Sequence, residues 1–118
     1  MARRNLVGEP VTLTAEQAAE VWEQFTETAA IRHWTLITCA IMYNHVHLMV
    51  GVPGDPNPED ILRDLKKWAS IRLNRKFPTP PSGKWWTQSG SKRKIDSENS
   101  FNRCFEYIQR QPQPLLLR

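Results

Sequence analysis

Two histidines one residue apart are the part of this sequence best suited to chemistry. His45 and His47 lie in the run HVHLMVGV, whose apolar and β-branched residues indicate a strand. Because side chains alternate across a strand, both imidazoles should point to the same face. Two neutral imidazoles a few ångströms apart can hold one divalent ion and leave positions open for substrate oxygens. The alternative is that both are polar positions on a half-buried strand, since histidine often sits at intermediate burial without any ligand.

A tyrosine near the end of the chain is the second chemical candidate. The sequence predicts a helix over about 97–110, and Tyr107 and Gln111 share one of its faces if the last turn persists. At about 100° per residue, Tyr107 lies roughly a quarter-turn from the centre of the apolar stripe, which leaves its hydroxyl outside the core. The alternative is a boundary tyrosine whose ring packs on a sheet. The apolar stripe consists of Phe101, Cys104, Phe105 and Ile108.

The elements that must position these side chains begin with a helix and two strands. Thr14 and Gln17 form a capping-box pattern, and apolar residues then recur at helical spacing, so the sequence predicts a helix over 15–30. The run over 33–42 is rich in β-branched and apolar residues, which predicts a mostly buried strand. After a short turn, the histidine strand covers 45–52.

A second helix and a hairpin are predicted before the tyrosine helix. Asn57 as N-cap, Pro58 at the first helical position and acids in the first turn mark where the helix begins. After a proline-rich break, 84–87 and 91–95 could pair as a hairpin around Ser89-Gly90.

This order of elements is typical of an α+β fold, a small and mostly antiparallel sheet with helices packed on it. A sheet of this type usually has a strand before its first helix. Only Leu6–Leu13 is available for that strand, and Pro10 interrupts it, so we expect the first strand to be weak or missing. The tail after Pro112 should be extended.

Charge is segregated along the chain. Residues 5–31 contain five glutamates and no lysine or arginine, whereas 61–94 contain ten basic residues and one acid. A folded chain with this asymmetry should present one strongly positive surface, which attracts phosphate backbones by releasing condensed counterions. The alternative is a helix face whose charges are only solvated. The basic residues expected to contact nucleic acid are Arg63, Lys66, Lys67, Arg75, Lys92, Arg93 and Lys94.

Two adjacent tryptophans stand beside the basic residues. Trp85 and Trp86 combine with them as aromatic and basic side chains do on surfaces that bind single strands. Neighbouring strand residues point to opposite faces, so at most one ring could stack on a base. The alternative for either is core packing, because large aromatic side chains are mostly buried.

The length and composition of the chain limit the classes of protein to which it can belong. A chain of 118 residues suggests a single domain, and 40% hydrophobic with 24% charged residues is near the globular average. No apolar run is long enough to span a membrane, and the N-terminus does not lead into an apolar signal core. Cys39 and Cys104 match no disulfide scaffold or zinc spacing, so we expect buried thiols in a reducing compartment.

Two motifs give the sequence a resemblance to a known family. Residues 42–48 read MYNHVHL, which resembles the His-hydrophobic-His signature of the single-tyrosine HUH transposases, a group that includes REP-associated tyrosine transposases. Residues 105–112 read FEYIQRQP and resemble the closing motif of that family, a Tyr-Ile followed by a polar residue and proline. The similarity extends over 14–112, and the two motifs in this order are more specific than either alone.

The resemblance implies a role for each candidate. Tyr107 would be the nucleophile, and His45, His47 and Gln111 would hold a divalent metal ion, Mg²⁺ or Mn²⁺. The fold would be an RRM-like or ferredoxin-like antiparallel sheet, assembled as a homodimer. The activity would be cleavage and rejoining of single-stranded DNA with hairpin structure through a 5′-phosphotyrosine intermediate. The protein would be cytoplasmic and associated with the nucleoid.

Two departures from the family pattern keep an alternative open. Tyr43 stands where relatives often have proline, which adds a second hydroxyl near the histidines, although we expect Tyr107 to be the nucleophile. The weak first strand is the larger departure. The alternative function is therefore a non-catalytic domain, inactive or domesticated, that binds hairpin DNA or RNA through its basic helix and sheet.

Overall fold

The described part of the chain begins with a strand, and its three helices are interspersed among five strands. The structure, a computed structural model, describes residues 2–118 except for the side chains at 8–10 and 88–92. In chain order the elements are β1 (Ala2–Pro10), α1 (Ala15–Arg32), β2 (Thr35–Ile41), β3 (Val46–Val52), α2 (Pro58–Lys76), β4 (Trp86–Ile95), α3 (Glu98–Gln109) and β5 (Leu116–Leu117).

The five strands form one antiparallel sheet in the order β4-β1-β3-β2-β5. α1 and α2 cover one face over a core that includes Leu6 and Leu65. α3 covers the other face over a smaller core that includes Met49 and Ile108. The predicted α+β fold class is therefore confirmed. Among the described residues, no helix has the length and apolar character that crossing a membrane requires.

The first strand, expected to be weak or missing, is a full member of the sheet. β1 lies between β3 and β4, with Val7 opposite His47. The polar residues of β1 made it hard to predict as a strand from the sequence. One of them, Arg4, points into the side of the sheet that α1 and α2 cover, where it is buried and paired with Asp55. Pro10 lies at the strand end, just beyond a register irregularity, where a missing N–H is tolerated.

The predicted hairpin over 84–95 is wrong. A single continuous strand, β4, runs through Ser89-Gly90 and pairs with β1. In this ladder Gly90 lies opposite Gly8. Because β1 offers a partner along most of β4, the Ser-Gly pair stays extended instead of forming a turn.

The helices begin where the sequence predicts. Thr14 accepts a hydrogen bond from the Gln17 N–H, and the Gln17 side chain accepts one in return, which completes the capping box. Asn57 caps α2 with a single bond, in which its side-chain oxygen accepts from the Glu59 N–H. α1 continues slightly beyond the predicted end, and His33 then takes a left-handed φ of 62° as C-cap.

The C-terminal tail is extended, as expected, and ends as a short strand. β5 pairs with β2, and Arg118 exchanges two backbone hydrogen bonds with Cys39. Both cysteines are free. Cys39 is buried, which raises the pKa of its thiol, whereas Cys104 is only half-buried. The expectation of buried thiols is therefore confirmed for Cys39 and only partly for Cys104.

Candidate active site

His47 lies in the middle of the sheet, on the face that α3 covers. Its cross-strand neighbours are Val7 of β1 and Ala40 of β2. Only 8% of the residue is exposed. Burial lowers the pKa of His47 to about 4, and the neighbouring His45 adds to that effect. At neutral pH His47 is therefore an uncharged imidazole with a nitrogen lone pair available to a metal ion.

His45 lies in the turn between β2 and β3, where its carbonyl accepts the Met42 N–H at 2.8 Å. Its Nδ1 is 2.8 Å from Asn44 Oδ1. Because an amide oxygen only accepts, Nδ1 is the donor in this bond, and in a neutral ring this tautomer places the lone pair on Nε2. The ring centroids of His45 and His47 are 4.8 Å apart, with the ring planes at 87°. The two imidazoles are thus neighbours, as their spacing predicts.

α3 brings Tyr107 to this pair of histidines. Ile108 is fully buried, and the Gln109 amide donates to Thr38 Oγ1 at 2.6 Å, so the end of the helix is fixed to the sheet. Tyr107 flanks the buried face and is 59% exposed. Its ring centroid is 5.4 Å from that of His47. The two motifs, distant in sequence, therefore meet within a single chain.

Gln111 follows α3 in a turn. Its backbone N–H donates to the Ile108 carbonyl at 3.3 Å, and its side-chain amide donates to the Tyr107 carbonyl at 3.1 Å. Metal ions bind glutamine through Oε1, which neither bond uses. In the part of the chain that the structure describes, no three His, Cys, Asp or Glu side chains cluster as a metal site. Among the described residues, the Gln111 side chain bonds to the Tyr107 carbonyl and makes no hydrogen bond to either histidine, so its role as third ligand stays a prediction.

Tyr43 is the second candidate hydroxyl, and it lies in the turn between β2 and β3. Its side chain is 60% exposed, and its backbone carbonyl accepts the Leu13 N–H at 2.7 Å. The tyrosine in ring contact with His47 is Tyr107. The geometry thus favours Tyr107 for any chemistry that involves the histidines.

The predicted basic residues divide between the two faces of the sheet. Arg63, Lys66 and Lys67 line a groove of about 590 Å³ between α2 and the segment that leads into β4. Arg93 lies on the other face, in a cavity that Tyr107 also lines. The single positive surface expected from the sequence is therefore divided, because α2 packs on one face of the sheet and the Arg93 side chain of β4 points to the other.

Two other basic candidates, Arg75 and Lys94, line neither of these cavities. Arg75 is exposed near the end of α2. Lys94 pairs with Asp55 at 3.6 Å. The side chain of Lys92 is outside the described residues.

Glutamates of α1 neutralise part of the basic segment 61–94. Arg72 lies 3.3 Å from both Glu20 and Glu27, and Lys76 lies 3.0 Å from Glu20. These ion pairs connect the two helices on that face. The hydrogen bond from Lys76, together with Arg72, lowers the pKa of Glu20.

Both tryptophans belong to the core under α1 and α2. Trp85 and Trp86 are 4% and 8% exposed. The Trp85 indole N–H donates to Asn74 Oδ1 at 2.7 Å, and Lys66 Nζ lies 6.0 Å from the centre of the Trp86 ring. Core packing, the alternative given for each, is thus what the structure shows, and the rings form the floor of the groove.

A cavity beside Tyr107 contains residues that sequence reasoning missed. It measures about 470 Å³, lies between α3 and the strands β1 and β4, and brings together Asn5, Arg93 and Arg103. Asn5 Oδ1 is buried without a hydrogen-bond partner. Recognition of β1 as a strand would have placed Asn5 on the face of His47, because Asn5 and Val7 alternate on that side. The other lining residues are Ile95, Ser100, Cys104 and Tyr107.

Comparison with known proteins gives a family and a fold. A sequence model described as IS200-like transposase matches residues 9–111. The structure is similar to the crystal structure of a candidate transposase from Deinococcus radiodurans R1, with a TM-score of 0.72, 22% identity, and coverage of 94% of this chain and 92% of that one. It is also similar to a REP-associated tyrosine transposase bound to a REP hairpin, with a TM-score of 0.73, 14% identity, and coverage of 91% of this chain and 64% of that one. At these identities the solved structures show the fold alone. Among curated proteins, none matches the chain.

Proposed function

The chain belongs to the IS200-like family of transposases, and we propose that it is a metal-dependent strand transferase that cleaves and rejoins single-stranded DNA through Tyr107. One observation carries this proposal. The Tyr107 ring lies 5.4 Å from His47, which lies 4.8 Å from His45, all within one chain. A phenol and two imidazoles at these distances can act on the same phosphate group.

The donors around the histidine pair fit a divalent ion such as Mg²⁺ or Mn²⁺. His47 is neutral at physiological pH and offers a lone pair, and the contact of His45 Nδ1 with Asn44 leaves Nε2 as the nitrogen that would bind the ion. Gln111 Oε1 would be the third ligand and would leave positions for phosphate oxygens. When bound, such an ion supplies charge neutralisation at the scissile phosphate.

Tyr107 has the exposure that a nucleophile for DNA requires. Its phenol oxygen would attack phosphorus in line, so that a bond forms from the tyrosine oxygen to the 5′-phosphate while the bond from phosphorus to the 3′ oxygen breaks. The phenol proton passes to solvent, and the departing strand takes up a proton as a free 3′-hydroxyl. A 3′-hydroxyl can later attack the phosphotyrosine, so strands are rejoined without an external source of energy.

We propose single-stranded DNA with a hairpin as the substrate. One solved structure of this fold is bound to a REP hairpin, and the α2 groove offers Arg63, Lys66 and Lys67 to stem phosphates. The family resemblance also implies a homodimer. Because Tyr107 contacts His47 of its own chain, the proposed chemistry does not require a partner chain to bring these two groups together.

A covalent adduct with DNA tests the proposal. Protein incubated with hairpin-bearing single-stranded DNA and Mg²⁺ or Mn²⁺ should give a species that survives denaturing electrophoresis. Tyr107→Phe should abolish this species with nearly unchanged DNA affinity, because the variant lacks only the oxygen that bonds to phosphorus. Tyr43→Phe is the matched control, since it removes an exposed hydroxyl from the neighbouring turn, and it should retain the adduct.

Two other outcomes would contradict the proposal. An adduct that persists in Tyr107→Phe and disappears in Tyr43→Phe would assign the nucleophile to Tyr43. Retained DNA binding without an adduct, for every metal and hairpin supplied, would favour the non-catalytic hairpin-binding domain.

A further inference from the structure

We propose that the cavity beside Tyr107 is a subsite for the unpaired DNA strand that adjoins the scissile bond. Arg93 and Arg103 hold a phosphate of that strand, and Asn5 contacts one of its bases. The inference rests on the proposed function, because it concerns the strand that Tyr107 would cleave. It assigns binding roles to Asn5 and Arg103, which neither motif includes.

The position of the cavity is the first argument. Tyr107 forms part of its wall, and Arg103 precedes Tyr107 by four residues, so both project from the same side of α3. Across the cavity, Arg93 of β4 lies opposite Asn5 of β1 in the antiparallel ladder. A strand whose phosphate lies at Tyr107 can therefore continue between α3 and the sheet. The volume, about 470 Å³, is within the range of ligand sites.

The charge of the cavity is the second argument. Arg93 and Arg103 are exposed and come from different elements, yet both line the same space. Within the described residues, neither has a carboxylate partner, in contrast to Arg72, which two glutamates neutralise. Two uncompensated guanidinium groups that face one cavity attract an anion, and their planar forks match phosphate oxygens. The DNA backbone is the anion that the proposed substrate brings to Tyr107.

The Asn5 side chain gives the third argument. Its Oδ1 is buried and has no hydrogen-bond partner, which is rare for a buried acceptor in a native protein. A phosphodiester has no N–H to donate, whereas every nucleobase carries at least one on its pairing edge. Asn5 also lines the cavity, so an unpaired base there would satisfy this oxygen once the side chain turns toward it. In a duplex stem the pairing-edge N–H groups are used within the base pair, so only the groove-edge hydrogens of the exocyclic amines are left to donate.

The test is a binding measurement on the Tyr107→Phe protein, which cannot cleave its ligand. Fluorescence anisotropy compares three hairpins with the same stem, one with short single-stranded tails, one with the same tails lacking bases, and one without tails. Replacing both Arg93 and Arg103 with glutamine should weaken binding of the tailed hairpin by about tenfold and lower its salt slope by about 0.7, since one phosphate contact is lost, with tail-less binding unchanged. Arg3→Gln is the matched control, because Arg3 is exposed on the same face and lies over the Phe101 ring.

The base contact is tested in the same way. Asn5→Ala should weaken binding of tails that carry bases by about fivefold and leave binding of abasic tails unchanged. Asn5→Ser, which keeps a small polar group on β1, is compared on the same two tailed hairpins. Circular dichroism verifies that each variant is folded. Equal losses on all three hairpins would overturn the subsite, because they would indicate a general effect on charge or folding.

The proposed function and the subsite can fail separately. If tail binding depends on Arg93, Arg103 and Asn5 but the wild-type protein forms no adduct, the subsite stands and the proposed chemistry fails. If the adduct forms while the arginine variant binds tailed hairpins normally, the chemistry stands and the subsite is wrong.

Discussion

The residues beside the two histidines determine how their imidazole rings are oriented. His45 has an orienting partner in Asn44, which accepts from Nδ1 at 2.8 Å, whereas the strands around His47 bury it. A hydrogen bond to one ring nitrogen fixes both the tautomer and the direction of the other nitrogen, and such partners commonly strengthen metal binding. Asn44 is therefore a positioning residue that acts through His45.

Replacing Asn44 tests that role. Asn44→Ala should raise the Mn²⁺ concentration needed for half-maximal adduct formation by about tenfold, because the freed ring must be ordered on binding. Adduct yield at saturating Mn²⁺ should approach that of the wild type. Asn102→Ala, an exposed asparagine on α3, is the control and should not change the metal requirement. An unchanged requirement in Asn44→Ala would show that the turn alone orients His45.

Only some of these residues could be predicted from the sequence to belong to the site. The spacing of His45 and His47 was enough to predict that they are neighbours, although His45 lies in the turn just before β3 and not in the strand as predicted, because two residues so close in sequence stay close in space. Asn44 could not be predicted as a partner, because the direction of a side chain in a turn follows no period. Asn5 was missed for another reason, as its face depends on a strand that the polar N-terminal residues concealed.

At the scale of elements, ion pairs join α1 to α2. Glu20 lies between Lys76 and Arg72, and these contacts lower its pKa below the usual value of 4.5. A lowered pKa in the folded state means that ionised Glu20 stabilises the fold. The stabilisation is complete above pH 4.5 and is lost as the pH falls through the lowered folded-state value.

Glu20→Gln should therefore have a pH-dependent cost. At neutral pH we expect a loss of about 0.5 kcal/mol in the free energy of unfolding, modest because solvent and salt screen a partly exposed pair. The difference from the wild type should shrink as the pH falls below 4.5. Urea unfolding at several pH values measures this, with Glu23→Gln, an exposed acid on the same helix, as the control. A loss independent of pH would show that Glu20 contributes by packing instead of charge.

The elements differ in how far the sequence could predict them. The helices were predicted well, because caps such as Thr14 and Asn57 and apolar spacing are local signals. β1 and β4 were predicted poorly, because each becomes recognisable as a strand only when the other is present to pair with it. In the sequence alone, Gly90 indicates a turn, and only pairing with β1 keeps it extended. Pro10 is unfavourable inside a strand and is compatible with β1 only because the strand ends there. Pairing between distant segments cannot be read from either segment alone.

At the scale of the whole molecule, the sheet separates the two surfaces to which we assign functions. Tyr107, the histidines and the proposed strand subsite share the α3 face, whereas the groove of Arg63, Lys66 and Lys67 lies on the face of α1 and α2. A sheet between the two surfaces prevents one short duplex stem from contacting both directly. We therefore expect the groove to determine how tightly a hairpin binds and the α3 face to determine whether it is cleaved.

Replacing Lys66 and Lys67 with glutamine tests this separation. The double variant should bind tail-less hairpins more weakly and lower the slope of log affinity against log salt by about 1.8, since two phosphate contacts are lost. Adduct yield at saturating DNA should equal that of the wild type, because neither lysine is near Tyr107. Anisotropy across a salt series and adduct yield on denaturing gels measure the two effects, with Arg3→Gln as the control for loss of charge. An unchanged salt slope would exclude the groove from DNA binding, and a lower yield at saturation would show that the groove also contributes to cleavage.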